Sequence, residues 1–213
     1  QWQSSSNGVI WNDIIGANNN ILSTGLLTTS TYYRLEVYSG VFNCGPKYTN
    51  SVFIEVQDPF TSGVLLNQNI CFNTSTVVSY QQLPTGGFET YNYQWQISND
   101  QNNWVNVGSD QDNHVTSNHS SDVYYQVIVS DVCGQLTSNT SFINVYDSLQ
   151  AGTILASDTI CYNSMLNPVD ANFGQPIGGD LTYTYDWYYS NDGVNFNLHS
   201  SSNSILNIGN LQD

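Results

Sequence analysis

The sequence predicts an all-β chain of tandem β-sandwich repeats, each of about 90 residues. Three observations lead there. First, an aromatic segment recurs: Gln1-Trp2-Gln3, then Tyr91-Asn92-Tyr93-Gln94-Trp95-Gln96-Ile97, then Tyr185-Asp186-Trp187-Tyr188. The tryptophans stand 93 and 92 residues apart, and nine residues after each comes Trp11, Trp104 or Phe196. A period this constant marks repeated structural units. Second, short segments alternate apolar and polar residues with period two, the mark of half-buried strands. Third, no segment shows a convincing helical period.

Residues 1–58 read as the C-terminal part of a repeat. The Trp2 strand is followed by a short strand near Ile10 to Ile14 and a polar connection at Asn18-Asn19-Asn20. Thr31 to Tyr38 then alternates, with Tyr33, Leu35 and Val37 expected on the inner face. Cys44 and Gly45-Pro46 mark a turn, Ser51 to Val56 a closing strand, and Asp58-Pro59 the boundary. Residues 59–147 read as one complete repeat. Early strands lie at Gly63-Val64-Leu65 and Asn69 to Asn73, and Pro84 and Gly86-Gly87 precede the Trp95 strand. Val123 to Val129 matches the earlier Tyr-Tyr strand, Cys133-Gly134 matches Cys44-Gly45, and Phe142 to Asp147 matches Phe53 to Asp58. Residues 148–213 begin a third copy, in which Gly152 matches Gly63 and Ile160-Cys161 matches Ile70-Cys71. With no Met at residue 1 and a copy incomplete at each end, the sequence reads as a window on a longer polypeptide.

Seven or so short strands per repeat, separated by turn signals, indicate a sandwich. The order Cys, Trp, Tyr-rich strand, Cys is immunoglobulin-like, with one departure. Cys133 follows Tyr125 by eight residues, where antibody-type domains place the second Cys two residues after the strand Tyr. A bridge is therefore expected at the sheet end rather than against the Trp. Cys71 and Cys133 share the one complete repeat and are expected to form a disulfide, while Cys44 and Cys161 lack a partner inside the window. Closing that loop would contribute ~4 kcal/mol on the chain-entropy view and would imply an oxidising compartment. The alternative is buried, reduced thiols; zinc lacks the clustered Cys and His it needs.

Composition narrows the partners. Arg34 and Lys47 are the only basic residues against 17 acidic ones, for a net charge of −15. Nothing neutralises phosphate, so nucleic acid and anionic membrane surfaces are poor partners. No apolar run is long enough for a transmembrane helix. Aromatics make up 13% of the chain, which supplies the core-forming surface that disordered chains lack. A polar, mostly uncharged exterior suits an extracellular protein.

The whole pattern resembles a known repeat family. A Gly-x-Ile segment leads to Ile-Cys-x-Asn; then come Tyr-x-Trp, Ser-x-Asp with Trp or Phe nearby, Thr-x-Tyr-Tyr-Arg and a late Cys-Gly. This resembles the immunoglobulin-like repeats of giant Bacteroidetes cell-surface adhesins, the SprB-like proteins of gliding cells exported by type IX secretion. The resemblance implies a non-catalytic stalk in adhesion and gliding, at the cell surface. Its partners would be neighbouring repeats, surface glycans and the secretion or motility machinery. Alternatives are a spacer array in a secreted polysaccharide-degrading enzyme and a glycan-binding module. The resemblance also implies O-glycosylation at Ser148 in Asp147-Ser148-Leu149 and at Thr159 in Asp158-Thr159-Ile160.

Other constellations are weighed by chemistry. Asp110, Asp112 and Asp192 lie in Asp/Asn-rich turns that offer oxygen ligands to calcium, although such residues form turns without any metal. Asp58 and Asp147 sit at repeat junctions. Strict repetition makes Trp2, Trp95, Trp187, Tyr33 and Tyr125 core-packing residues rather than a carbohydrate platform. Trp11, Trp104 and Phe196 lie at the rim of a polar hairpin, where a ligand contact is the alternative to covering the core. His114, His119 and His199 stand isolated in polar segments, and no pair of carboxylates suggests acid–base work, so no catalysis and no resident cofactor are expected.

Overall fold

The computed structural model describes residues 1–40, 44–109, 111–154, 159, 161, 169–170, 174–201 and 205–206. The chain is all-β. Two compact units are formed, one by residues 1–62, 83–92 and 129–136, the other by residues 63–82, 93–128 and 137–213.

Residues 1–58 contribute one sheet. Its strands are β1 (Trp2–Ser5), β2 (Asn12–Asp13), β3 (Thr31–Ser39), β4 (Cys44–Tyr48) and β5 (Val52–Ile54), in the order β2-β1-β3-β4 with β5 also on β3. Strand β1 places Ser4 opposite Tyr33 and Trp2 opposite Leu35. The expected inner face of β3 holds only in part. Tyr33 is buried, but Leu35 is half-buried and Val37 is 47% exposed. No second sheet covers that face among the described residues of this repeat. Instead Glu36, expected outside, is buried; the Tyr38 and Tyr48 phenols hydrogen-bond to it.

The complete repeat carries two layers. Strands β6 (Val64–Leu65), β7 (Gln68–Ile70), β8 (Val77–Val78), β9 (Tyr80–Gln82), β10 (Asn92–Ser98), β11 (Val105–Ser109), β12 (His114–Val115), β13 (Val123–Asp131), β14 (Gly134–Thr137) and β15 (Ser141–Val145) follow in order. The larger sheet runs β11-β10-β13-β15-β7, with β14 on β13 and β7 parallel to β15. The pairs β8–β12 and β6–β9 supply the facing layer. Strand β13 alternates as its sequence dictates: Val123, Tyr125, Val127 and Val129 are at most 2% exposed, and the residues between them are half-buried. The β10–β11 ladder carries a bulge: Trp95 faces Gly108 and Gln96 faces Asn106, so Val107 of β11 is the extra residue. Across this shift the buried positions of β10, Trp95 and Ser98, stand three apart rather than two.

An aromatic cluster fills the space between the layers. The Trp95 ring packs 6.1 Å from Tyr80 and 6.0 Å from His114, and His114 lies 5.6 Å from Tyr125. The Trp95 indole N–H donates to the Gln111 carbonyl at 3.0 Å, and Tyr125 Oη meets His119 Nε2 at 2.9 Å. His114 and His119 are therefore core-packing residues, not isolated ones. Gly108 stands opposite Trp95. A Cβ there would come within 2.8 Å of His114 Nδ1, so the imidazole sits where only glycine leaves room.

The third copy repeats the opening of this plan. Strands β16 (Val169–Asp170), β17 (Asp186–Tyr189), β18 (Asn197–Ser201) and β19 (Ile205–Leu206) are described. The β17–β18 pair has its bulge between Trp187 and Tyr188, matching the bulge after Trp95.

Two outcomes follow. Trp95→Ala empties the centre of the cluster and should lower the unfolding free energy of this repeat by about 3–5 kcal/mol, measured by urea denaturation followed by tyrosine and tryptophan fluorescence. Burial holds the His114 and His119 pKa values below the usual histidine value, with His119 adding repulsion at His114. A histidine with a depressed folded pKa stabilises the fold above its unfolded pKa of ~6.5, and that contribution is lost as pH falls through the folded value. The melting temperature should therefore fall on acidification below that point, and the fall should be shallower in a His114→Gln/His119→Gln variant.

Candidate functional site

The features that recur with the repeat meet at the junctions. At the first, the Asp58 carbonyl accepts the Gly87 N–H at 2.9 Å, and Thr61 pairs with Thr85 through N–H···O at 2.8 Å. At the second, the Asp147 carbonyl accepts the Gly179 N–H at 2.9 Å, and Gln150 pairs with Ile177 at 2.9 and 3.1 Å. The Tyr91 hydroxyl donates to the Gly86 carbonyl at 2.8 Å, and the Tyr183 hydroxyl donates to that of Gly178 at 2.9 Å. Asp58 and Asp147 act here through their backbone.

Glycine is required by space and by conformation. Gly86 has φ +75°, and a Cβ on it would lie 2.1 Å from the Pro59 carbonyl oxygen. Gly178 has φ +77°, with the Ser148 carbonyl oxygen 2.1 Å from the same point. In the complete repeat a carboxylate adds to the clamp. Asp131 Oδ2 accepts the Phe88 N–H at 2.9 Å, while Oδ1 accepts the Cys133 N–H at 2.7 Å and the Gly134 N–H at 3.2 Å. The hairpin that carries Cys133 is thus tied to the glycine loop, and the loop to the last residue of the preceding repeat.

The expected Cys71–Cys133 disulfide does not form. Both are exposed free thiols, as is Cys161; the side chain of Cys44 lies outside the described residues. The reason is the direction of the strands. Cys71 follows β7, whose Ile70 pairs with Val145, and the Val145 N–H bonds Asp122, just before β13. Cys133 follows the other end of β13, nine residues long. At ~3.4 Å per residue the two ends lie roughly 27 Å apart, where a disulfide needs Cα atoms within about 7 Å. The site two residues after the strand Tyr is held by fully buried Val127.

Asp192, weighed above as a calcium ligand, engages both carboxylate oxygens within its own turn. Its Oδ1 accepts the Val194 and Asn195 N–H groups, each at 2.8 Å, and the Ser190 hydroxyl at 2.8 Å; its Oδ2 accepts the Asn195 amide at 2.7 Å. These donors, led by the Asn195 N–H, hold its pKa far below the usual carboxylate range. Asp192 is a turn cap. Asp100 has the same bonds in the second repeat, and Asn7 caps the matching turn of the first. Asp112 is exposed and accepts from the Asn113 amide; Asp110 lies outside the described residues. No group of three or more metal-ligating side chains occurs among the described residues.

The repeat markers fall into place. Trp95 and Tyr125 are 1% exposed and Tyr33 7%, while Trp2 and Trp187 are half-buried. The Trp2 indole N–H donates to Asn19 O at 2.8 Å, as Trp95 does to Gln111. Trp11 is covered: the Arg34 guanidinium lies 4.2 Å from its ring centre and 4.0 Å from that of Tyr48, and Arg34 Nε donates to Gln3 Oε1. Trp104 is half-buried and Phe196 is 60% exposed. Ser148 and Thr159 are both exposed. A cavity of about 420 Å³ is lined by Ile154, Pro176, Tyr183, Tyr185 and Trp187. The matching Leu65, Pro84 and Trp95 are buried in the complete repeat, so the cavity is lined by core positions of the third copy. The sequence pattern missed Asp131, which is one Asp among many until its hairpin is seen against the glycine loop.

The profile of a protein family, Domain of unknown function (DUF8696), matches residues 1–58 and 62–147. The chain belongs to this family. No curated protein matches it. Among solved structures, the extracellular domains 3–5 of Drosophila OTK are similar at 15% identity, with a TM-score of 0.36. That likeness covers 78% of this chain and 53% of the other, and at so low a score it carries no argument.

Gly86→Ala tests the family's junction. It places a Cβ against backbone and forces a left-handed conformation, which alone costs about 1–2 kcal/mol. The variant should melt earlier and be cut faster by protease near residues 57–62, while Gly16→Ala, which carries the same left-handed cost at φ +80° but has open space around it, should be cut there more slowly than Gly86→Ala.

Proposed function

We propose that the chain is a non-catalytic stalk segment of an extracellular bacterial adhesin or surface filament, used in attachment and gliding. The observation that carries this reading is the junction. The same backbone pairing between linker and glycine loop occurs twice, 89 residues apart at Asp58 and Asp147. A linker paired along its length has few free torsions, and stacked repeats of this kind form extended arrays. The surface chemistry agrees: two basic residues in 213 give no purchase for nucleic acid. The sequence pattern of SprB-like repeats supplies the adhesin and gliding context, and type IX export comes with it. Calcium and glycans are not required by the stalk role. Neighbouring repeats of the same chain are its partners.

The test has two parts. Residual dipolar couplings on the 213-residue chain should fit one alignment tensor for residues 1–58 and 59–147 together; separate tensors would remove the stalk role. An antibody to this segment should label intact producing cells, and deletion of the gene should reduce attachment and spreading. Labelling only after lysis would remove the surface assignment.

A further inference from the structure

We propose that these repeats are cross-linked in series, the cysteine after β7 in one repeat forming a disulfide with the hairpin cysteine of the next. The inference goes beyond the stalk reading and holds for any array of these repeats.

The cysteines fall into two classes by position. Cys71 and Cys161, 90 residues apart, follow the early Ile; Cys44 and Cys133, 89 apart, precede a Gly in the late hairpin. Within a repeat the two classes cannot meet, because β13 separates them. Across a junction they face the same linker. On one side, the Tyr146 N–H donates to the Ile70 carbonyl at 2.9 Å, which sets Cys71 beside the strand that runs out to Asp147. The Asp147 carbonyl then takes the N–H of Gly179, in the glycine loop of the next repeat. On the other side, the complete repeat shows what lies behind such a loop. Gly87 bonds Asp58, Phe88 bonds Asp131, and Asp131 bonds the Cys133 N–H. Three hydrogen bonds thus lead from the end of one repeat to the hairpin cysteine of its successor.

The division into compact units is consistent with this for the hairpin cysteine. Residues 129–136, with Cys133, belong with residues 1–62, whereas Cys71 belongs with residues 137–213. The hairpin cysteine is grouped with the preceding repeat, and the early cysteine with most of its own repeat and the residues that follow it. Cys71 and Cys133 are both exposed, as an external cross-link requires. In residues 1–213 each junction contains one class only: Cys133 at the first and Cys71 at the second.

The chemistry is thiol–disulfide exchange. The two thiols lose two protons and two electrons to an external disulfide, such as an oxidised dithiol catalyst, which is reduced to two thiols. One S–S bond forms between repeats and one breaks in the oxidant.

The protein from its producing cells, alkylated without reduction and digested with pepsin, should yield Cys71 joined to a hairpin-class peptide of another repeat. Alkylated Cys71, or Cys71 joined to Cys133, would overturn the proposal. A defined chain keeps the test independent of the cellular source: residues 1–147 followed by a second copy of 59–147. Cys44→Ser, Cys133→Ser in the first copy and Cys71→Ser in the second leave only the proposed pair. Oxidised glutathione should take this chain from two titratable thiols to none while it stays monomeric. The opposite arrangement, with Cys71 and Cys133 kept in a single copy, should retain both. Two thiols remaining in the first chain, with native tryptophan fluorescence, would overturn the proposal.

Discussion

Backbone against backbone at the junction is the constraint on which the rest depends. The Pro59 carbonyl lies where the side chain of residue 86 would begin, and the Ser148 carbonyl stands in the same relation to residue 178. Only glycine satisfies both the contact and the positive φ. The contact brings the linker N–H and C=O groups into pairs with the loop, so the segment between sandwiches has partners for its polar backbone. A tyrosine hydroxyl then fixes the loop's own carbonyl in each copy. The Asp131 carboxylate extends the same network to the late hairpin.

That network explains why the cysteines moved. In the antibody-type plan a disulfide joins the layers beside the strand Trp. Here fully buried Val78 and Val127 lie in the facing layers, and Tyr80, His114 and Tyr125 surround Trp95. Apolar and aromatic burial does the work inside, and no bridge is needed there. The cysteines are left at the two ends of the sandwich, where neighbouring repeats meet.

Much of this was legible in the sequence, and the failures have physical causes. The alternation in β13 is complete because both faces have neighbours, and its buried residues follow the pattern throughout. The same pattern in β3 misplaced Val37, because no second layer covers its inner face among the described residues and two tyrosines cover Glu36 on the other side. The bulge after Trp95 was invisible, since a bulge shifts the pleat without changing the residue types that signal a strand. The period identified two classes of cysteine but not their partners. A repeat distance says that two residues are equivalent; it does not say at which end of a sandwich each one lies. His114 looked isolated because its neighbours in space come from other strands, and its clearest cue was Gly108.

The acidity of the chain belongs to this same account. With two basic side chains against 17 acidic ones, carboxylates have few cations to pair with. They turn to backbone N–H groups instead, which bond a carboxylate more strongly than a neutral acceptor. Asp100 and Asp192 close the hairpin turns, Asp122 holds the Val145 N–H, and Asp131 gathers three N–H groups at the junction. Asn7 caps its turn with a neutral oxygen in the same geometry, so the turn needs an acceptor there and not a charge. Arg34, the cation best placed to pair, is stacked between Trp11 and Tyr48. Negative charge in these repeats is thus in large part an inventory of backbone acceptors. That inventory accounts for Asp-rich turns in the described residues without a metal ion, and it places the repeated acids where the chain turns or passes from one sandwich to the next.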